Sequence, residues 1–315
     1  MKRKIDFENK IATRESFGKV LAEIEDEEII VLDTDLSTST KTDIFKEKHP
    51  DRFFELGISE ADMIGTAAGM ATCGKKPFIA TFAAFATGRV YDQIRCSIVY
   101  PNLNVKIIGT HSGITVGEDG ATHQMLEDIN LMRAMPNMLV LSPSDDIQTK
   151  ALIKKLVKYE GPAYIRLSRM KTPVVYEGLT EDDFEIGTGI QIGKGIDATI
   201  FVTGDLLPEA LKAQKLLKKA NYHARIVDMH TINPIDKELI IKCAKETEKL
   251  YSLEDHSITG GLGTAIAEVL CENYPHQLTR LGIKNEFGRS GTPKDLLRFY
   301  ELDAESIVNK ILLEK

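Results

Sequence analysis

The chain has 315 residues, of which 43% are hydrophobic and 28% are charged, and its formal net charge at pH 7 is −7. This length suggests two α/β domains of common size, and the acidic balance argues against a nucleic-acid partner. The four cysteines are far apart and show no disulfide or zinc pattern, so we expect a reducing, cytoplasmic location. Because no apolar run approaches a membrane span and the N-terminus lacks a signal-peptide core, no membrane partner is expected.

Strands and helices alternate along the first half of the chain. Runs rich in β-branched residues predict strands at 27–36, 76–82, 104–111, 137–145 and 162–169. Stretches with helical periodicity fill the spaces between them, at 13–25, 60–71, 91–99, 124–134 and 147–159. This alternation is typical of a parallel sheet wrapped by helices, and we predict a first domain over residues 1–185.

A polar passage over residues 171–189, which contains Pro173, is predicted to connect two domains. The alternation then restarts, with strands predicted at 197–205, 223–232, 249–256 and near 278–284, and with two closing helices. The sequence therefore predicts a second, smaller α/β domain over residues 186–315, again a mostly parallel sheet wrapped by helices.

Polar residues follow many of the predicted strands. In open parallel sheets, ligands bind beyond the carboxyl ends of the strands, where helix N-termini and loop amides converge. The first domain carries the richer set at these ends, namely Asp33, Asp35, Ser37, Ser39, Phe82, Phe85, His111, Glu118, Asp119, His123, Ser142, Ser144, Asp145, Arg166 and Arg169. The second domain offers Asp205, His230, Glu254, Asp255 and His256. The first domain is therefore the better candidate for chemistry.

The segment over residues 54–85 is the most informative part of the chain. Ser59 is predicted to cap a helix, with Asp62 three residues later and Glu60 at the first helical position. Taken alone, Glu60 would be an acid that suits the helix dipole. Small residues four positions apart form a smooth ridge on this helix that favours close packing, and they are Ala61, Gly65 and Gly69.

The order of these residues resembles the pyrimidine-binding domain of the transketolase family. In that family, a glutamate opens a helix rich in glycine and alanine, and aromatic residues one strand later pack on the aminopyrimidine ring of thiamine diphosphate. Glu60, Phe82 and Phe85 occupy those places here. The block 109–145, with its THS, GEDG and THQ segments, is closer still to transketolase, and residues 186–315 resemble the C-terminal domain of the family.

The resemblance implies a role for each candidate residue. Glu60 would hydrogen-bond a ring nitrogen of the aminopyrimidine and favour its imino tautomer, while Phe82 and Phe85 would contact the ring. Further catalytic residues, which would contact donor hydroxyls and move protons, are His111, Asp119 and His123. The sugar phosphate would be held by a set in which arginine contributes its bidentate fork, namely Arg14, Ser39, His111 and Arg169.

One part of a complete site is absent from the sequence. Thiamine-diphosphate enzymes of this kind also need a diphosphate-binding domain, whose mark is GDG followed by an asparagine and which holds the magnesium ion. No GDG segment occurs in this chain. The resemblance therefore implies that this chain holds no metal itself, and that an N-terminal transketolase subunit supplies the magnesium site in an α2β2 heterotetramer.

The implied activity is transfer of a two-carbon ketol unit from a ketose phosphate to an aldose phosphate, as in the pentose phosphate pathway. Two departures are visible: Gly88 stands where many transketolases have a third aromatic residue, and Ser112 stands where aspartate is common. The run VYDQIR at 90–95 is similar to deoxyxylulose-phosphate synthases. The open alternatives are half of such a synthase or of another ketol-transfer enzyme, the β subunit of a 2-oxoacid dehydrogenase, and a non-catalytic paralogue.

Overall fold

The computed structural model describes residues 6–313, so the basic start of the chain, residues 1–5, lies outside the described part. Its strands are β1 (Asp6–Ala12), β2 (Ile29–Asp33), β3 (Phe53–Glu55), β4 (Lys76–Phe82), β5 (Lys106–Thr110), β6 (Leu139–Leu141), β7 (Ala163–Arg166), β8 (Lys171–Val174), β9 (Ile190–Ile192), β10 (Ala198–Val202), β11 (Ala224–Asp228), β12 (Thr231–Asn233), β13 (Lys249–Ser257) and β14 (Leu278–Ile283).

The α-helices are α1 (Thr13–Glu23), α2 (Ser37–Thr40), α3 (Asp43–Lys48), α4 (Glu60–Thr72), α5 (Tyr91–Gln93), α6 (Asp128–Arg133), α7 (Asp146–Lys158), α8 (Leu207–Lys219), α9 (Lys237–Glu246), α10 (Leu262–Asn273), α11 (Pro293–Phe299) and α12 (Ala304–Leu313). Two π-helical segments flank α5, at Ala84–Arg89 and Ile94–Val99. Among the residues described, no helix is long and apolar enough to cross a membrane.

The first sheet has seven strands in the order β12-β6-β7-β5-β4-β2-β3. All of its neighbouring strands run parallel except β12, which pairs antiparallel with β6 at one edge. Strands β2, β5, β6 and β7 are buried along their whole length, as expected for a parallel sheet covered on both faces. The five strands predicted for the first half of the chain are all present.

The second sheet has five strands in the order β14-β13-β10-β11-β9, of which only β9 runs antiparallel to its neighbour. The predicted α/β class, with two mostly parallel sheets wrapped by helices, is therefore confirmed. The domain limits of 1–185 and 186–315 stay a prediction.

Residues 223–232 do not form the single strand that their β-branched composition predicts. The strand β11 ends at Asp228, and the chain then turns so that β12 joins the first sheet instead of the second. The side-chain amide of Asn233 donates to the carbonyl of Met138 at 2.7 Å and reinforces this pairing. The first sheet therefore contains one strand from the second half of the chain.

Three further predictions are corrected in detail. The passage 171–189, predicted as a polar connection between domains, begins with the strand β8, which pairs antiparallel with β1. The helix predicted at 124–134 is regular only over Asp128–Arg133. The helix predicted at 91–99 begins as α5 and continues as a π-helix, which the usual helical periodicity cannot reveal.

One apolar cluster crosses between the two sheets. It contains Ile129 and Val140 from the first half together with Val227, Met229 and Ile266 from the second. Buried residues of both halves thus belong to one apolar core, which packs the first sheet against the second half.

Candidate active site

Glu60 lies at the first position of α4, as predicted, and only 4% of its side chain is exposed. Its Oε1 atom is 2.7 Å from Nη1 of Arg89, so the buried carboxylate has a cationic partner. Ser59 is the N-cap residue, as predicted, but its side chain makes no capping hydrogen bond, since its hydroxyl donates to the carbonyl of Leu56 at 2.7 Å.

Phe82 and Phe85 form the centre of an aromatic cluster. Phe82 is the last residue of β4, and Phe85 lies one turn later in the first π-helical segment, with 5.8 Å between their ring centroids. The ring of His111 stacks on Phe82 at 3.8 Å between centroids, and the ring of His123 meets Phe85 edge-on at 5.5 Å. Three separate predicted segments therefore meet at the carboxyl edge of the first sheet.

Arg89 completes this cluster, and the sequence analysis missed it. Its guanidinium carbon lies 4.2 Å from the ring centroid of Phe85, in cation–π geometry, while Nη1 reaches Glu60. Gly88 itself is exposed and contributes no side chain to the pocket. The sequence feature that could have revealed Arg89 is its position directly after Gly88, which stands where many transketolases have a third aromatic residue. In the structure, a flat cation thus bridges the ring of Phe85 and the carboxylate of Glu60.

His111 directly follows β5 and adopts a left-handed backbone conformation, with φ of 55°. Its Nε2 atom is 3.2 Å from Nη1 of Arg14, and its Nδ1 atom is 3.0 Å from Oγ1 of Thr110. Burial, and then the charges of Arg14 and Arg169, lower the pKa of His111 to about 3. The ring is therefore neutral, and because a guanidinium can only donate, Nε2 is the atom that accepts.

Arg14 and Arg169 bring two positive charges to the same edge of the sheet. Arg14 donates to the backbone carbonyl of Ser39 at 2.6 Å, so the contact of Ser39 with the arginine is made by its main chain. Burial and the charge of Arg169 both lower the pKa of Arg14, and its buried Nε atom has no hydrogen-bond partner among the described residues. Two guanidinium groups with an unused donor are a suitable site for an anion.

Asp119 and His123 lie on the loop that follows β5. Asp119 is half-exposed, and its carboxylate is 3.6 Å from Nη1 of Arg169, which also donates to the carbonyl of Val116 at 2.5 Å. The Nδ1 atom of His123 is 2.9 Å from Oγ1 of Thr122. The structure thus places every predicted site residue at one edge of the first sheet, with Asp119 paired to an arginine. Their catalytic and binding roles stay predictions.

Within residues 6–313, no group of three or more His, Cys, Asp or Glu side chains is arranged to hold a metal ion.

Two family models match this chain. The model described as "Transketolase, pyrimidine binding domain" matches residues 9–174, and the model described as "Transketolase, C-terminal domain" matches residues 187–307. The chain therefore belongs to the transketolase family, whose members depend on thiamine diphosphate.

Individual relatives agree with these matches. A protein of Methanocaldococcus jannaschii named as a transketolase C-terminal section is 49% identical over 304 residues, which cover 96% of this chain and 95% of that protein. Rat transketolase is 37% identical over 309 residues, but these cover only 49% of its length, so the chain spans about half of such longer relatives. The prediction of a C-terminal section of a split transketolase is confirmed.

A solved structure titled "Split gene transketolase, inactive beta4 tetramer" has the same fold. It superimposes with a TM-score of 0.86 and is 46% identical, covering 96% of this chain and 97% of that one.

Proposed function

We propose that this chain is the C-terminal subunit of a transketolase that moves a two-carbon ketol unit from a ketose phosphate to an aldose phosphate. The observation that carries the proposal is the position of the Arg89 guanidinium between Glu60 and Phe85. A flat group that offers N–H donors to a buried carboxylate and a face to an aromatic ring fits this place. The aminopyrimidine ring of thiamine diphosphate has both properties.

Each residue of this chain has a distinct task in the proposal. When bound, thiamine diphosphate supplies the carbanion chemistry that makes and breaks the carbon–carbon bond. Glu60 accepts a hydrogen bond from a ring nitrogen of the pyrimidine and thereby favours one tautomer of the ring, while Phe82 and Phe85 contact the ring and set its plane. His123, which lies next to the aromatic pair, would move a proton at a donor hydroxyl.

The arginines and His111 form the phosphate end of the site. Arg14 and Arg169 offer the donors for a sugar phosphate, and the backbone of Ser39 orients the first of them. A bound phosphate would offset the two guanidinium charges and so raise the pKa of His111 from its low value. In the proposal, His111 and Asp119 contact donor hydroxyls and, with His123, move protons during cleavage of the carbon–carbon bond.

A second subunit is part of the proposal. The chain has no GDG segment, so we assign the magnesium ion and the diphosphate cradle to an N-terminal partner subunit in an α2β2 heterotetramer. The related solved chain supports this assignment, because its title describes a tetramer of one chain type as inactive. Sugar phosphates are the proposed substrates, and a cytoplasmic location is proposed from the cysteine usage.

The test is reconstitution with the N-terminal subunit, thiamine diphosphate and Mg²⁺, followed by a ketol-transfer assay. The isolated chain should be inactive, and the mixture should be active. Glu60→Gln should assemble normally but slow both turnover and deuterium exchange at the thiazolium carbon by roughly a hundred- to ten-thousand-fold. Asp62→Asn is the matched control, since Asp62 lies in the same first helical turn but is exposed. Wild-type exchange in the Glu60→Gln enzyme would remove Glu60 from the mechanism.

A further inference from the structure

Two buried acids of the second half of the chain reach into the first half, behind the candidate site. Asp255 lies near the end of β13 and Asp205 lies in the turn after β10, and they are 1% and 5% exposed. The hydrogen bonds of both carboxylates go to residues of the first half. Because buried carboxylates need hydrogen-bond partners, these two fix the positions of the first-half segments that donate to them.

Asp255 holds the loop that begins at His111. Its Oδ1 atom accepts the backbone N–H of Ile114 at 2.9 Å, and its Oδ2 atom accepts that of Thr115 at 3.3 Å. Gly113 allows this approach, because its φ is +71° and a Cβ atom there would overlap the carboxylate of Asp255. The path of the chain directly after His111 is therefore shaped around this one carboxylate.

Asp205 ties the same loop to the segment that carries Arg169. Its Oδ2 atom accepts the hydroxyl of Thr115 at 2.7 Å and the hydroxyl of Ser168 at 2.9 Å. Ser168 is the residue directly before Arg169, so one oxygen atom fixes the relative position of two segments. These segments contribute the histidine and one of the arginines of the anion site.

A buried cation lies beside these acids, although burial and the charge of Asp205 still raise the pKa of Asp255. Arg166, at the end of β7, donates through Nη2 to the backbone carbonyl of Asp255 at 2.6 Å and through Nε to Asp128 at 2.8 Å. The amide of Gln124 adds a further link between the halves, since it donates to the carbonyl of Ile114 and to that of Arg289. The loop after His111 is thus held from the second half at several independent points.

We propose that Asp255 and Asp205 are positioning residues, which hold the segments carrying His111 and Arg169 at the spacing that binds the phosphate of a sugar substrate. This assigns to the second half of the chain a part in substrate selection, although it contributes no residue to the site itself. The inference rests on the proposed function for the identity of the anion, but the contacts that carry it lie wholly within this chain.

The first experiment measures the anion site without turnover. Inorganic phosphate is titrated into the full chain, and the ring signals of His111 are followed by NMR. Asp255→Asn keeps one acceptor but turns an N–H donor toward the amide of Thr115, and it should weaken phosphate binding about tenfold. Asp228→Asn is the matched control, because Asp228 is an equally buried acid of the second half that also bonds to the first, through Ser144 and Gln148.

A milder pair of variants keeps the test decisive where Asp255→Asn fails to fold. Thr115→Val removes the hydroxyl that reaches Asp205, whereas Thr115→Ser retains it. The valine variant should lose phosphate affinity about fivefold, and the serine variant should bind like the wild type. Equal affinity in both variants would overturn the role of Asp205.

The second experiment uses the reconstituted enzyme and compares phosphorylated with unphosphorylated ketose donors. Asp255→Asn should raise KM for the phosphorylated donor about tenfold and change kcat/KM for the unphosphorylated donor less than twofold. Asp228→Asn should leave the ratio of kcat/KM between the two donors unchanged. The proposal is overturned if both donors lose equally, or if Asp228→Asn produces the same selective loss. An inactive wild-type mixture whose isolated chain still shows a phosphate affinity that depends on Asp255 would count against the proposed function alone.

Discussion

Replacing Gly113 by alanine tests the close approach of the two halves directly. The backbone at this position, with φ of 71° and ψ of −169°, is one that essentially only glycine adopts, and it costs an alanine about 1–3 kcal/mol. The added Cβ also displaces the Asp255 carboxylate from the amides of Ile114 and Thr115, and leaving such buried groups unsatisfied costs about 1–3 kcal/mol. Gly113→Ala should therefore lower the free energy of unfolding by about 2–6 kcal/mol.

Gly74→Ala is the control, a glycine with positive φ whose Cβ would meet no neighbour. Gly74 has φ of +82°, but no atom lies within 4 Å of the place where its Cβ would be, so only the backbone cost of about 1–2 kcal/mol applies. Urea unfolding followed by circular dichroism gives both values. Adding Asp255→Ala to Gly113→Ala should relieve the overlap, so the two changes together should cost less than their sum. A Gly113→Ala chain as stable as Gly74→Ala would refute the reasoning.

Three further outcomes are expected. Arg89→Met should lower the stability of the isolated chain by about 1–2 kcal/mol, because Glu60 stays buried without its cation. If Arg89 only occupies the place of the cofactor ring, calorimetry on the reconstituted enzyme should show no loss of thiamine diphosphate affinity. The ring of His111 should remain neutral by NMR down to about pH 4, and phosphate should raise its pKa. Since its pKa of about 3 lies below the ordinary value of 6.5, the stability that the neutral ring contributes is complete above pH 6.5 and is lost as the pH falls toward 3. Arg169→Ala should weaken phosphorylated substrates by about 2–4 kcal/mol and spare unphosphorylated ones, and an equal loss of both would make the arginine structural.

The strands of the first sheet could be predicted because a strand buried on both faces is a continuous apolar run. Runs such as residues 29–32 and 139–141 need no information from distant parts of the chain. The start of α4 at Glu60 could also be predicted from neighbouring residues, since the first turn of a helix favours a short pattern of polar residues. The edge of the sheet that carries the candidate site could be predicted because ligands bind beyond the carboxyl ends of parallel strands.

The features that sequence reasoning missed depend on distant partners. Arg89 meets a glutamate 29 positions away, and the π-helical turn that contains it has no simple periodic pattern. Asp205 and Asp255 were placed at strand ends correctly, yet their importance lies in hydrogen bonds across 90 and about 140 residues. No local sequence pattern predicts which distant segment will donate hydrogen bonds to a buried carboxylate.

The short strand β12 has a consequence for how this protein can be cut or recombined. It covers the outer edge of β6, whose N–H and C=O groups would otherwise form an open template for pairing with another chain. The first half expressed alone, without Thr231–Asn233, should therefore aggregate through β6 rather than persist as a free module. Chimaeras between relatives should remain soluble only where β6 and β12 are exchanged as a matched pair, even though about 90 residues separate them.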